Sequence, residues 1–134
     1  MSPQIVVDEQ IDHDKVTVLL KRWITAEQIC HEVGHKGFPD EQITSFLLRL
    51  KRRTLVTIDR GFYRRQWRHV GYCLIYFDFT PEQQFQIPGL LRRLFQIPGF
   101  RTIRERMGKV VKVSATGISY WQLGVQEEQH LDWS

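Results

Sequence analysis

Thr54–Phe62 reads TLVTIDRGF, a run of β-favouring residues that ends in the carboxylate of Asp59 and then a turn. We predict a buried strand over 54–59, because β-branched and apolar residues in a short run favour strands. Two other runs share this pattern, an apolar or β-branched stretch that ends in acid. They are 4–7, followed by Asp8 and Glu9, and 72–77, followed by Asp78. Near-continuous apolar runs of this length are typical of parallel strands that are buried on both faces.

Helical patterns separate these predicted strands. Val16, Leu19, Leu20 and Trp23 recur at roughly helical spacing after the first strand. Proline and two acids at 39–41 mark the first turn of a second helix, which we expect to run to Arg53. We further predict a weak strand over 24–30, a short basic helix over 62–68, a helix that starts near Thr80, and a C-terminal hairpin over 110–113 and 118–123. This alternation predicts an α/β protein, with a mostly parallel central sheet between helices.

Length and composition indicate one ordinary globular domain over residues 1–134. Hydrophobic residues make up 42% and charged residues 25% of the chain, which are normal values. No apolar run is long enough to cross a membrane, and the N-terminus has no basic region followed by an apolar one. We therefore expect a cytoplasmic protein. Cys30 and Cys73 are far apart and lie in no metal-binding motif, so buried free thiols are expected.

The charge is distributed unevenly along the chain. Residues 51–112 contain fourteen Lys/Arg and four Asp/Glu, whereas residues 1–50 contain five and eight, and the last twenty-two contain none and three. If the basic side chains share a surface, they attract phosphate groups. Solvated helix faces would account for the same pattern. The excess of Arg over Lys favours bidentate phosphate contacts.

The acids at the ends of the predicted strands suggest a metal site. In a parallel α/β sheet the carboxyl ends of the strands meet at one edge, where ligands bind. Carboxylates that converge there repel each other unless a cation relieves them, and oxygen ligands suit Mg²⁺ or Mn²⁺. The candidate ligands are Asp8, Asp40, Glu41, Asp59 and Asp78.

A metal beside arginines indicates cleavage of phosphodiester bonds. The arginines expected to hold the nucleic acid are Arg60, Arg64, Arg65 and Arg68. Purely local roles would also explain the acids, with Asp40 at a helix start and Asp59 and Asp78 in turns. His13, His31 and His35 show no ligand spacing, and Trp67 is expected to pack on the sheet rather than to stack on a base. The sequence also lacks a Ser-His-Asp order, a phosphate-binding Gly-rich loop and a dinucleotide fingerprint.

Three motifs in this order resemble the PIN-like domains, which are compact relatives of the PIN-domain ribonucleases. They are Asp8-Glu9 after a β run, Pro39-Asp40-Glu41-Gln42-Ile43 opening a helix, and Leu55–Phe62, LVTIDRGF. The resemblance covers roughly residues 4–78. It implies an α/β/α sandwich and RNA cleavage that depends on Mg²⁺ or Mn²⁺. At the matching positions it implies Asp8, Asp40 (or its neighbour Glu41) and Asp59 as catalytic acids.

Two positions depart from the family pattern. Gly61 stands where relatives often have a second aspartate, and Phe38 stands where a small capping residue is usual. Glu9 or Asp78 would be candidates to replace the missing carboxylate. The resemblance also implies a toxin of a toxin-antitoxin pair, with a small antitoxin protein and a homodimer as expected partners. The alternative is a catalytically degenerate PIN-like module that binds nucleic acid or a protein.

Overall fold

The computed structural model of the chain describes residues 4–29 and 40–133, without the side chains of residues 40–42. Seven strands in this part of the chain form one sheet. The strands are β1 (Ile5–Val7), β2 (Ala26–Gln28), β3 (Arg53–Thr57), β4 (Tyr72–Phe77), β5 (Lys109–Val113), β6 (Gly117–Gln122) and β7 (Gln129–Asp132).

The strand order across the sheet is β2-β1-β3-β4-β5-β6-β7. The first five strands in this order are parallel to one another, and β6 and β7 continue the sheet in antiparallel fashion. The expectation of an α/β protein with a mostly parallel sheet and a C-terminal hairpin is thus confirmed. The weakly predicted second strand is also present, but β7 was not predicted.

Helical segments pack on both faces of this sheet. A π-helical turn at His13–Thr17 continues into α1 (Val18–Leu20), and three further helices follow: α2 (Asp40–Leu50), α3 (Ile87–Leu94) and α4 (Ile103–Arg106). Segment α1 and helix α3 share a buried cluster with one face of β1, and α2 shares a second cluster with the other face. This arrangement is compatible with three α/β/α layers. No helix within 4–29 and 40–133 has the length and apolar character needed to span a membrane.

Helix α2 is shorter than predicted, since it ends at Leu50 rather than Arg53. Lys51 and Arg52 adopt left-handed backbone conformations, with φ angles of 63° and 55°. These two residues reverse the chain, so that Arg53 already belongs to β3. The amide of Arg52 donates to the carbonyl of Gly71 at 3.0 Å, which ties this turn to the start of β4.

The predicted basic helix over 62–68 was wrong. The chain instead forms two 3-10 turns, Arg60–Phe62 and Arg65–Trp67, with Arg64 in an extended conformation between them. The reason is that this segment is anchored onto the sheet. Phe62 is 1% exposed, and the indole N–H of Trp67 donates to the carbonyl of Gly61 at 3.2 Å. Trp67 also packs against the cluster shared with α2, as expected.

The expected burial of a free thiol is confirmed for Cys73, whose pKa is raised to about 12 by burial. Cys30, His31 and His35 lie outside the described residues. His13 lies 3.3 Å from its neighbour Asp14, and its side chain is 28% exposed.

Candidate active site

The carboxyl ends of the parallel strands form one edge of the sheet, which we call the carboxyl edge. Strands β1, β3 and β4 are neighbours there. Asp8 follows β1 directly, Asp59 follows β3 by two residues and Asp78 follows β4 directly. The topology therefore brings these three predicted acids to the same edge of the sheet, where ligands bind in α/β proteins.

Thr57, the last residue of β3, joins Asp8 to Asp59. Its hydroxyl donates to Asp8 Oδ2 at 2.6 Å and accepts from the backbone N–H of Asp59 at 2.9 Å. Asp8 itself is fixed by its backbone N–H, which donates to the carbonyl of Val56 at 2.9 Å. The Thr57 side chain is fully buried, so one hydroxyl sets the positions of both acids without access to water.

Asp8 is a buried carboxyl group that ionises with difficulty. It is 3% exposed, and this burial is the main reason why its pKa is raised. The hydrogen bond from Thr57 and one from the backbone of Glu9 act in the opposite direction, while the charges of Asp59 and Glu9 raise the pKa further. A bound cation would stabilise the ionised form that burial and these neighbouring acids disfavour.

Asp59 is half-buried and begins the 3-10 turn at Arg60–Phe62. Its Oδ1 accepts from the backbone N–H of Gly61 at 2.9 Å, the local turn role that the sequence analysis left open. This hydrogen bond occupies one oxygen of the carboxylate. Because an ionised carboxylate has two acceptor oxygens, the turn role and a ligand role are compatible.

Asp78 lies at the periphery of this group and is exposed. The hydroxyl of Tyr76 donates to Asp78 Oδ1 at 2.9 Å. Burial raises the pKa of Tyr76 to about 12, the hydrogen bond to Asp78 adds to this, and the charge of Asp59 contributes as well. Tyr76 thus interacts with both acids. Asp78 is two strands from Asp8, which is a separation of about 10 Å in the plane of the sheet.

The backbone of α2 places Asp40 on the side of the carboxyl edge. Only Lys51 and Arg52 separate the end of helix α2 from the start of β3, so the last turn of α2 lies at the amino end of the parallel strands. Its eleven residues span about 16 Å, at 1.5 Å per residue, and its first residue is therefore far from that end. The side chains of Asp40 and Glu41 lie outside the described residues.

Among the side chains that the structure describes, no group of three or more His, Cys, Asp or Glu residues is arranged to hold a metal ion. The described part brings together two acids, Asp8 and Asp59. The hydroxyl of Thr57 contacts the carboxylate of Asp8 and the backbone N–H of Asp59. Two neighbouring carboxylates suit a hard cation such as Mg²⁺, which is commonly held by one or two carboxylates and by water. The candidates for a third protein ligand are Asp40 and Glu41, whose side chains lie outside the described residues.

The predicted arginines have unequal surroundings. Arg60, Arg64 and Arg65 are exposed, and Arg60 is close enough to act on the pKa of Tyr76. Arg68 is engaged with the protein itself. Its Nη1 donates to the carbonyls of Gln122 and Val125 at 3.0 and 2.8 Å, and its Nε donates to the carbonyl of Arg65. Arg68 therefore anchors the end of β6 and has fewer donors left for a phosphate.

A polar row that was not predicted continues from this site across the sheet. The strand register aligns Thr57 with Tyr76, then Lys112, Ser119 and His130. Ser119 Oγ lies 3.0 Å from His130 Nδ1. Tyr63, which follows the 3-10 turn at the candidate site, donates its hydroxyl to Glu128. Alternation places Ser119 on the same face of β6 as Gly117 and Trp121, so no local polar pattern in the sequence marks this row.

Replacing Thr57 with valine should destabilise the protein by about 1–3 kcal/mol, because the change leaves a buried carboxylate oxygen and the amide of Asp59 without their partner. Replacement with serine, which keeps the hydroxyl, should cost less. Urea unfolding of both variants beside the wild type measures the difference. Equal stability of the valine variant and the wild type would show that the Thr57 hydroxyl does not hold the two acids.

Comparisons of this chain with protein-family models, with curated proteins and with solved structures found no match. The likeness to PIN-like domains is therefore one of sequence motifs alone.

Proposed function

We propose that this protein is a metal-dependent ribonuclease of the PIN-like type, with its active site at the carboxyl edge. The observation that carries the proposal is the pair of Asp8 and Asp59, joined by the hydroxyl of Thr57. A folded protein gains nothing for its stability by burying Asp8 beside a second acid. Perturbed acids of this kind are typical of functional sites.

Asp8 and Asp59 would hold Mg²⁺ or Mn²⁺, with Asp40 or Glu41 as the expected third ligand and Asp78 at the periphery. Such an ion, when bound, activates water and neutralises charge on the phosphate. Thr57 fixes the two acids, and burial of Asp8 excludes water from one side of the pair. Tyr76 holds a proton on its hydroxyl, because its pKa is raised to about 12, and so can donate a hydrogen bond at neutral pH.

RNA is the proposed substrate because exposed arginines lie next to the acids. Arg60 follows Asp59 directly, and Arg64 and Arg65 are exposed in the segment that crosses the sheet after it. Guanidinium groups bind phosphates in bidentate fashion. RNA as the substrate fits the cytoplasmic location that we expect. The resemblance alone supports three further expectations, which are a toxin role, a small antitoxin and a homodimer.

A cleavage assay tests this proposal. A fluorescently labelled single-stranded RNA and a structured RNA are each incubated with the protein in Mn²⁺, in Mg²⁺ and in EDTA. We expect cleavage in the presence of either metal and its loss in EDTA. Cleavage that persists in EDTA, or none of either RNA in millimolar Mn²⁺, would contradict the proposal.

Reversing the charge of both Arg64 and Arg65 should weaken RNA binding. If each arginine contacts one phosphate of a single strand, the slope of log affinity against log salt should fall in magnitude by about 1.4. Fluorescence anisotropy over a range of salt concentrations measures this slope. The matched control is Arg49→Glu, which changes an exposed arginine on α2. An unchanged slope in the double variant would show that these arginines do not contact the strand.

One observation favours the alternative, a degenerate PIN-like module that binds nucleic acid or a protein. Gly61 occupies the position of an expected acid, and its amide is used to bind Asp59 instead. Such a module would bind RNA with a steep salt dependence or bind a protein with little RNA affinity. In either case it would show no metal-dependent cleavage.

A further inference from the structure

A polar cavity lies at the opposite edge of the sheet from Asp8. Its volume is about 890 Å³, which is within the range of small-molecule sites. Gln4 and Thr25, which immediately precede β1 and the start of β2, contribute to its wall. Asp8 comes four residues after Gln4, just past the end of β1, which is a distance of about 13 Å at the rise of a strand. The cavity is therefore separate from the candidate active site.

The lining of this cavity is strongly basic. Lys21, Arg22, Arg101 and Arg106 line it, and Glu27 is the one acid that the structure places among its lining residues. Arg22 and Arg101 are exposed, and Arg101 donates from Nε to the carbonyl of Gln96 at 2.9 Å. A concave surface of one charge sign concentrates the potential that it creates, so this cavity attracts anions.

Arg106 is the buried member of this group, with only 4% of its surface exposed. Its guanidinium lies over the ring of Phe95, 3.5 Å from the ring centre. It donates to the carbonyls of Phe100 and Arg101, at 2.7 and 2.8 Å, and to Gln4 Oε1 at 3.3 Å. These bonds use three of its five N–H groups.

No carboxylate of the described residues forms an ion pair with Arg106. Its hydrogen bonds all go to neutral oxygens. Burial lowers its pKa, and the charge of the neighbouring Glu105 offsets only part of this effect. A buried charge without a counter-ion is costly to the fold. An anion in the cavity would supply an opposite charge in direct contact with this guanidinium, which lines the cavity.

An aromatic side chain lies in the same wall. Trp23 lines the cavity beside Arg22 and meets the ring of Phe95 edge to face, with 6.1 Å between ring centres. The guanidinium of Arg92 lies 5.8 Å from the centre of the Trp23 ring. The cavity thus combines cations with an aromatic surface, the two features that nucleotide-binding sites use for phosphate and base.

We propose that this cavity binds a nucleoside phosphate, with the phosphate at Arg22, Arg101 and Arg106 and the base against Trp23. A bare phosphate would fill little of the volume and would not use the aromatic wall. The same chemistry is present in a free nucleotide and in one nucleotide of an RNA strand, and the experiment separates these two sources.

Isothermal titration calorimetry on the full chain, in metal-free buffer, tests the proposal with four probes. They are adenosine monophosphate, inorganic phosphate, adenosine and a short single-stranded RNA. We expect adenosine monophosphate to bind about fivefold to 150-fold more tightly than inorganic phosphate, the range that one stacked base contributes. Adenosine should bind more weakly than the monophosphate. If the RNA binds no more tightly per site than adenosine monophosphate, a free nucleotide is sufficient as the ligand of the cavity. If the RNA binds much more tightly, the ligand is a nucleotide within an RNA strand.

Charge reversal separates this cavity from other basic surfaces. Arg22→Glu should weaken binding of adenosine monophosphate by about tenfold or more, since it replaces an attractive charge with a repulsive one. Arg49→Glu makes the same change on α2 and should leave the affinity unaltered. Asp59→Asn should also leave it unaltered, so that failure of the ribonuclease proposal does not decide this one. No binding of the monophosphate at millimolar concentration, or equal losses in the Arg22 and Arg49 variants, would overturn the proposal.

Discussion

Replacing Asp59 with asparagine should reduce Mn²⁺-dependent RNA cleavage by at least about a hundredfold, because even residues that only support metal ligands are worth ten- to a hundredfold. The fold should survive this change. The Asp59 oxygen that accepts from the Gly61 amide has an equivalent in the asparagine side chain, so the 3-10 turn keeps its first hydrogen bond. Cleavage rates with wild type and variant at the same Mn²⁺ concentration measure the effect.

Asp14→Asn is the matched control for this experiment, because it removes an acid whose side chain is 94% exposed. The control should cleave RNA like the wild type, and far-UV circular dichroism should show that all three proteins are folded. If the Asp59 variant cleaves as fast as the control, Asp59 has no part in the reaction. A contaminating ribonuclease would also give equal rates, and the EDTA arm reveals it.

Replacing Asp8 with asparagine should make the protein more stable relative to wild type as pH rises from about 4 to about 7 in metal-free buffer. Burial raises the pKa of Asp8 from its ordinary 3.8, so the folded protein holds this proton more tightly than the unfolded chain does. Stability therefore falls as pH rises through this interval, by linkage. Asparagine has no proton to lose, and this contribution is absent from the variant.

Urea unfolding at both pH values measures the free energy of unfolding of wild type and variant. We expect the difference in the free energy of unfolding to move in favour of the variant at the higher pH, because only the wild type must release the proton that burial holds on Asp8. Most single substitutions lower the free energy of unfolding by about 1 kcal/mol. A variant that instead gains stability relative to the wild type as pH rises therefore points to the ionisation of Asp8. Asp14→Asn, at the surface, should show no such dependence. A difference that does not change with pH would show that Asp8 ionises normally in the folded protein.

The central strands could be predicted because their sequences allow few alternatives. Residues 72–77 are all buried in β4. A continuous apolar run of this length is typical of a central strand that is buried on both faces of a parallel sheet. Strand β7 could not be predicted in this way. Its residues are half-buried or exposed, and its position is fixed by pairing with β6 rather than by an apolar pattern of its own.

Backbone reversals and short turns escaped prediction for a related reason. The left-handed Lys51 and Arg52 carry side chains that favour helix, so the local sequence predicts continuation to Arg53. The contact with Gly71 across the sheet decides otherwise. Similarly, the segment after Asp59 has a helical composition, but burial of Phe62 and the bond from Trp67 to Gly61 hold it in two 3-10 turns.

At the candidate site, the topology alone predicted that Asp8, Asp59 and Asp78 share an edge. The role of Thr57 was hidden, since a threonine in a strand is explained by its β-branched shape. Its hydroxyl becomes important only because β1 and β3 are neighbours in register. The internal role of Arg68 was hidden too, because its acceptors belong to residues 122 and 125, which are far away in sequence.

The most direct test of the carboxylate pair as a metal site is a Mn²⁺ titration followed by thermal melting, with wild type and Asp59→Asn side by side. A ligand that binds only the folded state raises the melting temperature as its concentration increases. We predict a rise for the wild type that grows with Mn²⁺ and is absent from the variant. No rise in either protein up to millimolar Mn²⁺, or an equal rise in both, would contradict a metal site formed by Asp8 and Asp59.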